Sequence, residues 1–448
     1  MSVSIANRLN RQSGIVLTCF FLVCFSSQAL SGYKAFLDPR SMAMGGTGVA
    51  ASTKFNASSH NPALIAFNRG NKPDKIYISA STGVRELHNE DLNKDVLEYQ
   101  NSSLEPDFIE AVISSDLSLA RELGDKLKQI LKEKQYSSYR SDEMTSFSLL
   151  ADTKPVTINA FFRREVREMS VFIDRDSGTI EAALEQIENN GTTPSKIAED
   201  LLSSVDSTYF NFSEFGATVA TTNVIDYNMP ISWGFTPKLI QFNSSHISKE
   251  LYSDDIDDQY DVNNPDAPRP SDSNLEWNLD VGFAMLFTDD FLREEFGLDG
   301  WWLEGEWVFA FSGMNMFPTD ITNFRPLRFD PKFPGDKSSV QGLYQVGLAH
   351  YREKYMFTMD IELTEDKVFE GFEGNRRFIS FGGEYYWRDD FHLRGGFRVN
   401  LSETDKGAKE QHSLHTGFMY QPHGLSIEAA AMISEYEVGG TIGFGLAF

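Results

Sequence analysis

The residues of this chain able to do chemistry are scattered rather than gathered. His412 and His415 stand three apart, a spacing that on a strand places them on opposite faces and denies them a shared metal. Neither a His-Glu-x-x-His nor a Gly-x-Ser-x-Gly pattern occurs, so zinc-peptidase and serine-hydrolase chemistry have no anchor here. The run Asp254 to Asp261 is acidic enough to attract calcium but lacks the Gly and terminal Glu of a calcium-binding loop, and reads as a solvated external loop. No catalytic residue, cofactor or metal site is expected, and the chain reads as a non-enzyme. Its remaining charges lie inside apolar, alternating stretches. Asp280, Glu304, Glu306, Asp360, Glu362, Glu384, Glu428, His392, Arg394 and Arg398 all fall on the face opposite the apolar residues. Such charges most often pair across strands, as Glu384 would with Arg394.

The elements that carry these residues are strands. Trp277, Leu279, Val281, Phe283, Met285 and Phe287 alternate with Asn278, Asp280 and Gly282. The same period of two runs through Trp301 to Phe311 and through Tyr355 to Leu363. Each stretch is long enough to cross a bilayer as a tilted strand. Past the N-terminal segment no run approaches 18 apolar residues, and the mean hydropathy is -0.33, yet 13% of residues are aromatic. Alternation that cancels in any window fits a transmembrane β-barrel. About fourteen strands are expected, starting near residues 76, 145, 156, 208, 229, 274, 299, 341, 354, 376, 390, 412, 424 and 437. Arg388-Asp389-Asp390 reads as a three-residue turn setting Trp387 opposite Phe391. Thr288-Asp289-Asp290-Phe291 and Gln421-Pro422-His423-Gly424 read as further tight turns. Connections after even strands are mostly short and those after odd strands mostly long, as expected when both ends of the barrel lie in the periplasm. Two helical insertions, near 104–135 and 179–206, fall by this parity in external connections. A strand missed early in the chain would place them in the periplasm instead.

The balance of 40 Lys and Arg against 65 Asp and Glu argues against a nucleic-acid partner. Arg8 and Arg11, the apolar stretch Gly14 to Phe25 and the small residues before Ala29 read as a signal peptide, 1–29, cleaved near Ala29. It contains both cysteines, so the exported chain is expected to hold no disulfide. The closing residues Thr441, Gly443, Leu446 and Phe448 resemble the signal read by the barrel assembly machinery. The expected location is therefore the outer membrane of a Gram-negative bacterium, with its lipid and that machinery as partners.

A family resemblance appears after the signal peptide. Asp38-Pro39-Arg40-Ser41-Met42-Ala43-Met44-Gly45-Gly46-Thr47-Gly48-Val49-Ala50, followed by Asn61-Pro62-Ala63, resembles the start of TraF-like proteins labelled for conjugal transfer, in the wider FadL-type group of outer-membrane barrels. The resemblance implies a fourteen-stranded barrel, 76–448, with the segment 30–75 folded into the lumen as a plug. Gly45, Gly46, Gly48, Asn61 and Pro62 would belong to that plug, with Glu384, Arg394 and Arg398 facing it. The small residues permit close backbone packing and Pro62 fixes a turn, although an ordered linker has the same composition. Two departures stand out: the usual Gly after Asn-Pro-Ala is missing, and the helical insertions are long. The implied function is a plugged channel for passive transport of small or hydrophobic molecules, with a small hydrophobic ligand as a candidate partner. The alternative is a structural or docking barrel for conjugal transfer or secretion machinery.

Overall fold

The computed structural model describes residues 38–67, 75–89, 102–134, 137–153, 155–174, 176–190, 201, 203–226, 229–250, 274–317, 319–321, 338–340, 342–365, 376–402 and 412–448. The stretch 1–29 expected as a signal peptide and the acidic run 254–261 lie outside them. Seven strands come first: β1 (Lys75–Asn89), β2 (Ser138–Asp152), β3 (Val156–Ile173), β4 (Ser204–Asp226), β5 (Met229–Glu250), β6 (Asn274–Thr288) and β7 (Glu306–Met314). A small two-stranded sheet, β8 (Thr319–Ile321) with β9 (Ser338–Val340), interrupts the series. Then come β10 (Leu343–Tyr351), β11 (Tyr355–Glu362), β12 (Phe378–Arg388), β13 (Phe391–Asn400), β14 (Ser413–Tyr420), β15 (Leu425–Ile433) and β16 (Glu437–Ala447). All but β8 and β9 form one closed antiparallel barrel of fourteen strands, with β1 hydrogen-bonded to β16. Among the described residues no helix is long and apolar enough to cross a membrane.

Side chains obey the period of two. Asn278 and Asp280 on β6 are buried in the lumen while Trp277, next to Asn278, is exposed outside. On β11, Thr358, Asp360 and Glu362 are buried and Phe357 is exposed. Connection lengths alternate as well, except for the long link 289–305 at the short-turn end and the short link 434–436 at the long-loop end. The links 153–155, 227–228, 352–354, 389–390 and 421–424 gather at one end. The longer links 90–137, 174–203, 251–273, 315–342, 363–377 and 401–412 gather at the other. The wall is uneven: β3, β4 and β5 have 18, 23 and 22 residues, whereas β7 and β10 to β16 have 8 to 11.

Several local expectations need correction. Thr288 does not open a tight turn; its hydroxyl caps α5 (Asp289–Phe296) by accepting the Phe291 amide at 3.3 Å. Asp289 and Asp290 in the first turn favour that helix, and Gly297, at φ 65, ends it. Trp301 and Leu303 form a helical turn, and the strand starts only at Glu306. Gly305 causes the break: its φ is 111, and a Cβ there would stand 2.2 Å from the Tyr351 carbonyl oxygen. Glu304 consequently leaves the lumen set and pairs with Arg352 at the rim. At the next hairpin Arg388, not Trp387, opposes Phe391, because a bulge drops Trp387 from the ladder. Glu384 does oppose Arg394.

The first helical insertion is two helices, α2 (Leu104–Ile113) and α3 (Leu117–Lys134), and the second contains α4 (Ser177–Asn190) and ends where β4 begins at Ser204. The rest of that expected helical insertion, 191–200, lies outside the described residues. The three helices share one core over the tops of β3 and β4: Phe108, Leu127, Leu131, Ile180 and Leu184 pack with Phe172 and Val205. Two insertions distant in sequence thus make one cap at the long-loop end. Phe108→Ala is expected to cost this cap about 3–5 kcal/mol. Amide exchange should then accelerate in 117–134 and 177–190 while the barrel strands keep their protection.

Candidate functional site

Residues 38–67 fold inside the barrel, and their local chemistry explains their path. Asp38 caps the short helix α1 (Pro39–Ala43), with Pro39 preset at its first position. One Asp38 oxygen accepts the Ser41 amide at 3.0 Å and the Asn56 side-chain amide at 2.8 Å; the other meets His60 Nε2 at 2.5 Å. One carboxylate therefore ties both halves of the segment together. Burial alone pushes this carboxyl up, but His60 and the two donors hold it at about 2. Gly45 and Gly46, at φ 73 and 90, turn the chain after α1 through the left-handed region that other residues avoid. Asn61 caps the second turn, Pro62–Ile65, by accepting the Ala63 amide at 3.0 Å. Its amide nitrogen donates to Val49 O at 2.8 Å and to Phe283 O of β6 at 3.1 Å.

The wall is hollowed to receive this segment. A Cβ on Gly234 would stand 2.3 Å from the Pro62 carbonyl carbon, and one on Gly282 2.1 Å from Asn61 Oδ1. On the far side, a Cβ on Gly396 would meet the Met44 backbone at 2.3 Å, and one on Gly417 the Ala43 side chain at 2.6 Å. Within the segment, Gly48 leaves room for the His60 ring. At each of these positions a side chain would occupy space that the segment fills.

Charge completes the seating. Arg40 is buried and grips both oxygens of Glu384 at 2.9 and 2.8 Å while its Nε donates to Ala51 O at 3.1 Å. Glu384 also accepts from Arg394 Nε at 2.8 Å and faces His392 Nδ1 at 3.2 Å, and Arg394 continues to Glu428. Asp360 Oδ2 accepts the Gly48 and Val49 amides at 2.6 and 2.8 Å. Lys54 reaches Asp152 at 2.8 Å, and the Ser312 hydroxyl donates to His60 O at 2.6 Å.

Arg398, grouped with Glu384 and Arg394 on strand phase, joins a different layer. It donates to Ser413 Oγ at 2.9 Å and pairs with Glu437 at 3.0 Å, near the long-loop end. Arg85 links Glu437 (3.1 Å) to Asp142, which also receives Arg140 at 2.7 Å and Arg167 at 2.9 Å. Four buried guanidiniums thus surround two carboxylates above the segment. Sequence reasoning missed this layer because β2 was expected to start near 145, which left Arg140 and Asp142 in a loop. The inward phase of Arg85 and Glu437 was the available signal. A third set joins Lys238 to Glu214 and Asp280, each at 3.0 Å, with Arg163 on Glu214.

A family model described as "F plasmid transfer operon, TraF, protein" matches residues 59–293, more than half of the chain. The chain belongs to this TraF family. No curated protein matches it. Among solved structures, a TodX deltaS2S3 mutant monoaromatic hydrocarbon channel aligns at 11% identity and TM-score 0.46, covering 93% of this chain and 98% of that one. The P. putida toluene transporter TodX aligns at 10% and 0.44, covering 94% and 99%. A Pseudomonas aeruginosa FadL homologue aligns at 8% and 0.46, covering 93% and 99%.

In this TraF-family barrel the last strand also touches the lumen segment. Thr441 and Gly443 face inward: Thr441 Oγ1 donates to Thr82 O at 2.8 Å, and a Cβ on Gly443 would stand 2.8 Å from the Pro39 ring. Leu446 and Phe448 face outward, 41% and 67% exposed. His415 is buried against Ser413, 2.8 Å away, while His412 is exposed. Among the described residues no three His, Cys, Asp or Glu side chains come together to hold a metal.

Gly282→Val is expected to unseat 60–66, because its side chain must occupy the place of Asn61 while β6 stays paired. Arg40→Ala removes one partner of a buried ion pair, a loss of about 3–5 kcal/mol. Proteolysis and amide exchange within 38–67, against unchanged strand protection, check both.

Proposed function

We propose that this TraF-family chain is an outer-membrane barrel, exported by its N-terminal signal and assembled through its last strand, whose segment 38–67 plugs a channel for small molecules. The observation that carries this reading is the seating of the segment. It fills the lumen through ion pairs, hydrogen bonds and backbone-on-glycine contacts, a set of contacts that a solute can displace without unfolding the wall. The outward band of Phe147, Phe215, Phe235, Trp277, Phe357 and Phe444 suits lipid. The shorter strands match the roughly 9–11 residues of a tilted membrane crossing, and closure leaves no unpaired backbone for the bilayer. On this reading the long-loop end, with its helical cap, faces outside the cell.

Liposome swelling in sugar solutions tests the reading. The double variant Arg40→Ala, Gly282→Val is expected to pass sugar several times faster than the unaltered chain. Heat-dependent gel migration verifies that each sample is a folded barrel. Equal, negligible rates in the unaltered chain, the double variant and a folded barrel without 38–67 would overturn it.

A second reading is favoured by the cap, in which two distant insertions build a three-helix core. This is more structure than a loop needs, and it suits a docking barrel for transfer machinery. Deleting 102–134 separates the two. Lower plasmid transfer with unchanged permeability selects docking, whereas unchanged transfer selects the channel.

A further inference from the structure

The lumen segment is not gripped evenly. Its helix α1 packs on β13 to β16 and its turn Pro62–Ile65 on β3 to β6. The wall of β1 and β2 is instead bridged by the loop 53–59, where Lys54 pairs with Asp152 at 2.8 Å, the Ser79 hydroxyl donates to Phe55 O at 3.0 Å and the Phe55 ring meets Tyr77 edge-on at 5.5 Å. Between that loop and the wall lies a cavity of about 40 Å³, lined among others by Ser79, Ser81, Ser146, Ser148, Arg163 and Glu428. The register sets Ser79 against Ser148 and Ser81 against Ser146, with hydroxyl oxygens 3.0 and 2.7 Å apart. Four short side chains at neighbouring inward positions keep a gap that longer ones would fill. It has room for about three waters at roughly 10–15 Å³ each.

The gap is closed above by a different material. Going up β2, the inward residues are Ser148, Ser146, Met144 and Asp142. Met144 is buried in a cluster with Met42, Ala43, Ala430 and Met432, which separates the serines from the arginine layer around Asp142. Methionine is unbranched and adaptable, so such a cluster yields by rotating side chains without moving backbone.

We propose that small uncharged polar solutes pass the segment along this wall: from the arginine layer, between Met42, Met144 and Met432, into the serine pocket, and out by displacement of the loop 53–59. This rests on the channel reading and supplies its substrate class. An uncharged hydroxylated solute exchanges its hydrogen bonds with the serines nearly one for one. An apolar solute gains nothing at the serines and must first cross a layer of buried charge, and an ion is held by that layer.

The test uses the full chain in liposomes, with arabinose as the polar probe and gluconate as its charged counterpart. Met144→Ala with Met432→Ala is expected to raise arabinose entry severalfold and gluconate entry much less. Adding Ser81→Phe, which fills the pocket, is expected to abolish the gain. Equal gains for both solutes overturn the substrate class. No gain, or a gain that survives Ser81→Phe, overturns the route, provided that the Arg40→Ala, Gly282→Val variant passes arabinose. If that variant is also closed, the channel reading itself falls. Heat-dependent migration again reports folding of every variant.

Discussion

Everything else in the molecule depends on the pairing of β1 with β16, from Tyr77 opposite Ala447 to Leu87 opposite Glu437. This ladder joins a strand near the start of the barrel to one at its end, and without it both would expose a full edge of backbone donors and acceptors. Closure sets the circumference, and with it an interior that must be filled. The chain fills it with its own N-terminal segment. Gly443 of β16 takes the Pro39 ring, and Ser79 of β1 holds the Phe55 carbonyl. The seam that closes the wall is therefore also part of the seat.

Two kinds of contact share the work of seating. Gly234 and Gly396 let backbone meet backbone, and Gly282 and Gly417 make room for the Asn61 and Ala43 side chains, which gives shape specificity, since any larger residue collides. Arg40 with Glu384, and Asp360 with two amides, give direction. Buried charge pairs are costly to desolvate and add little net stability, but they penalise every misplaced arrangement by leaving a charge alone. The combination specifies one position for the segment without making that position strongly favoured.

The layering along the barrel follows from strand phase and tilt. Near the short-turn end, Glu384, Arg394 and Glu428 serve the segment. Towards the long loops, Arg85, Arg140, Arg167 and Arg398 close on Asp142 and Glu437. Methionines and serines lie between them on β2. Among the described residues the buried apolar side chains gather in clusters that pack the segment and the cap.

Much of this was legible in the residues themselves. A period of two is a local property, so β6, β11 and the strands from β12 onward could be read from alternation, and Glu384 opposite Arg394 from the hairpin. Pro62 announces its turn because its ring fixes the backbone locally, whereas the caps made by Asp38 and Asn61 emerge only in the structure. What stayed hidden depends on partners far along the chain. The break at Gly305 exists because the Tyr351 carbonyl stands where a Cβ would go. The joint core of α2, α3 and α4, and the separation of Arg398 from Arg394, arise only when distant strands are set side by side. Local alternation determined that the chain is a barrel and which face of each strand looks inward. Closure and tilt, which fix the height of every inward residue, decided which charges meet, where the segment sits and which wall only a loop covers.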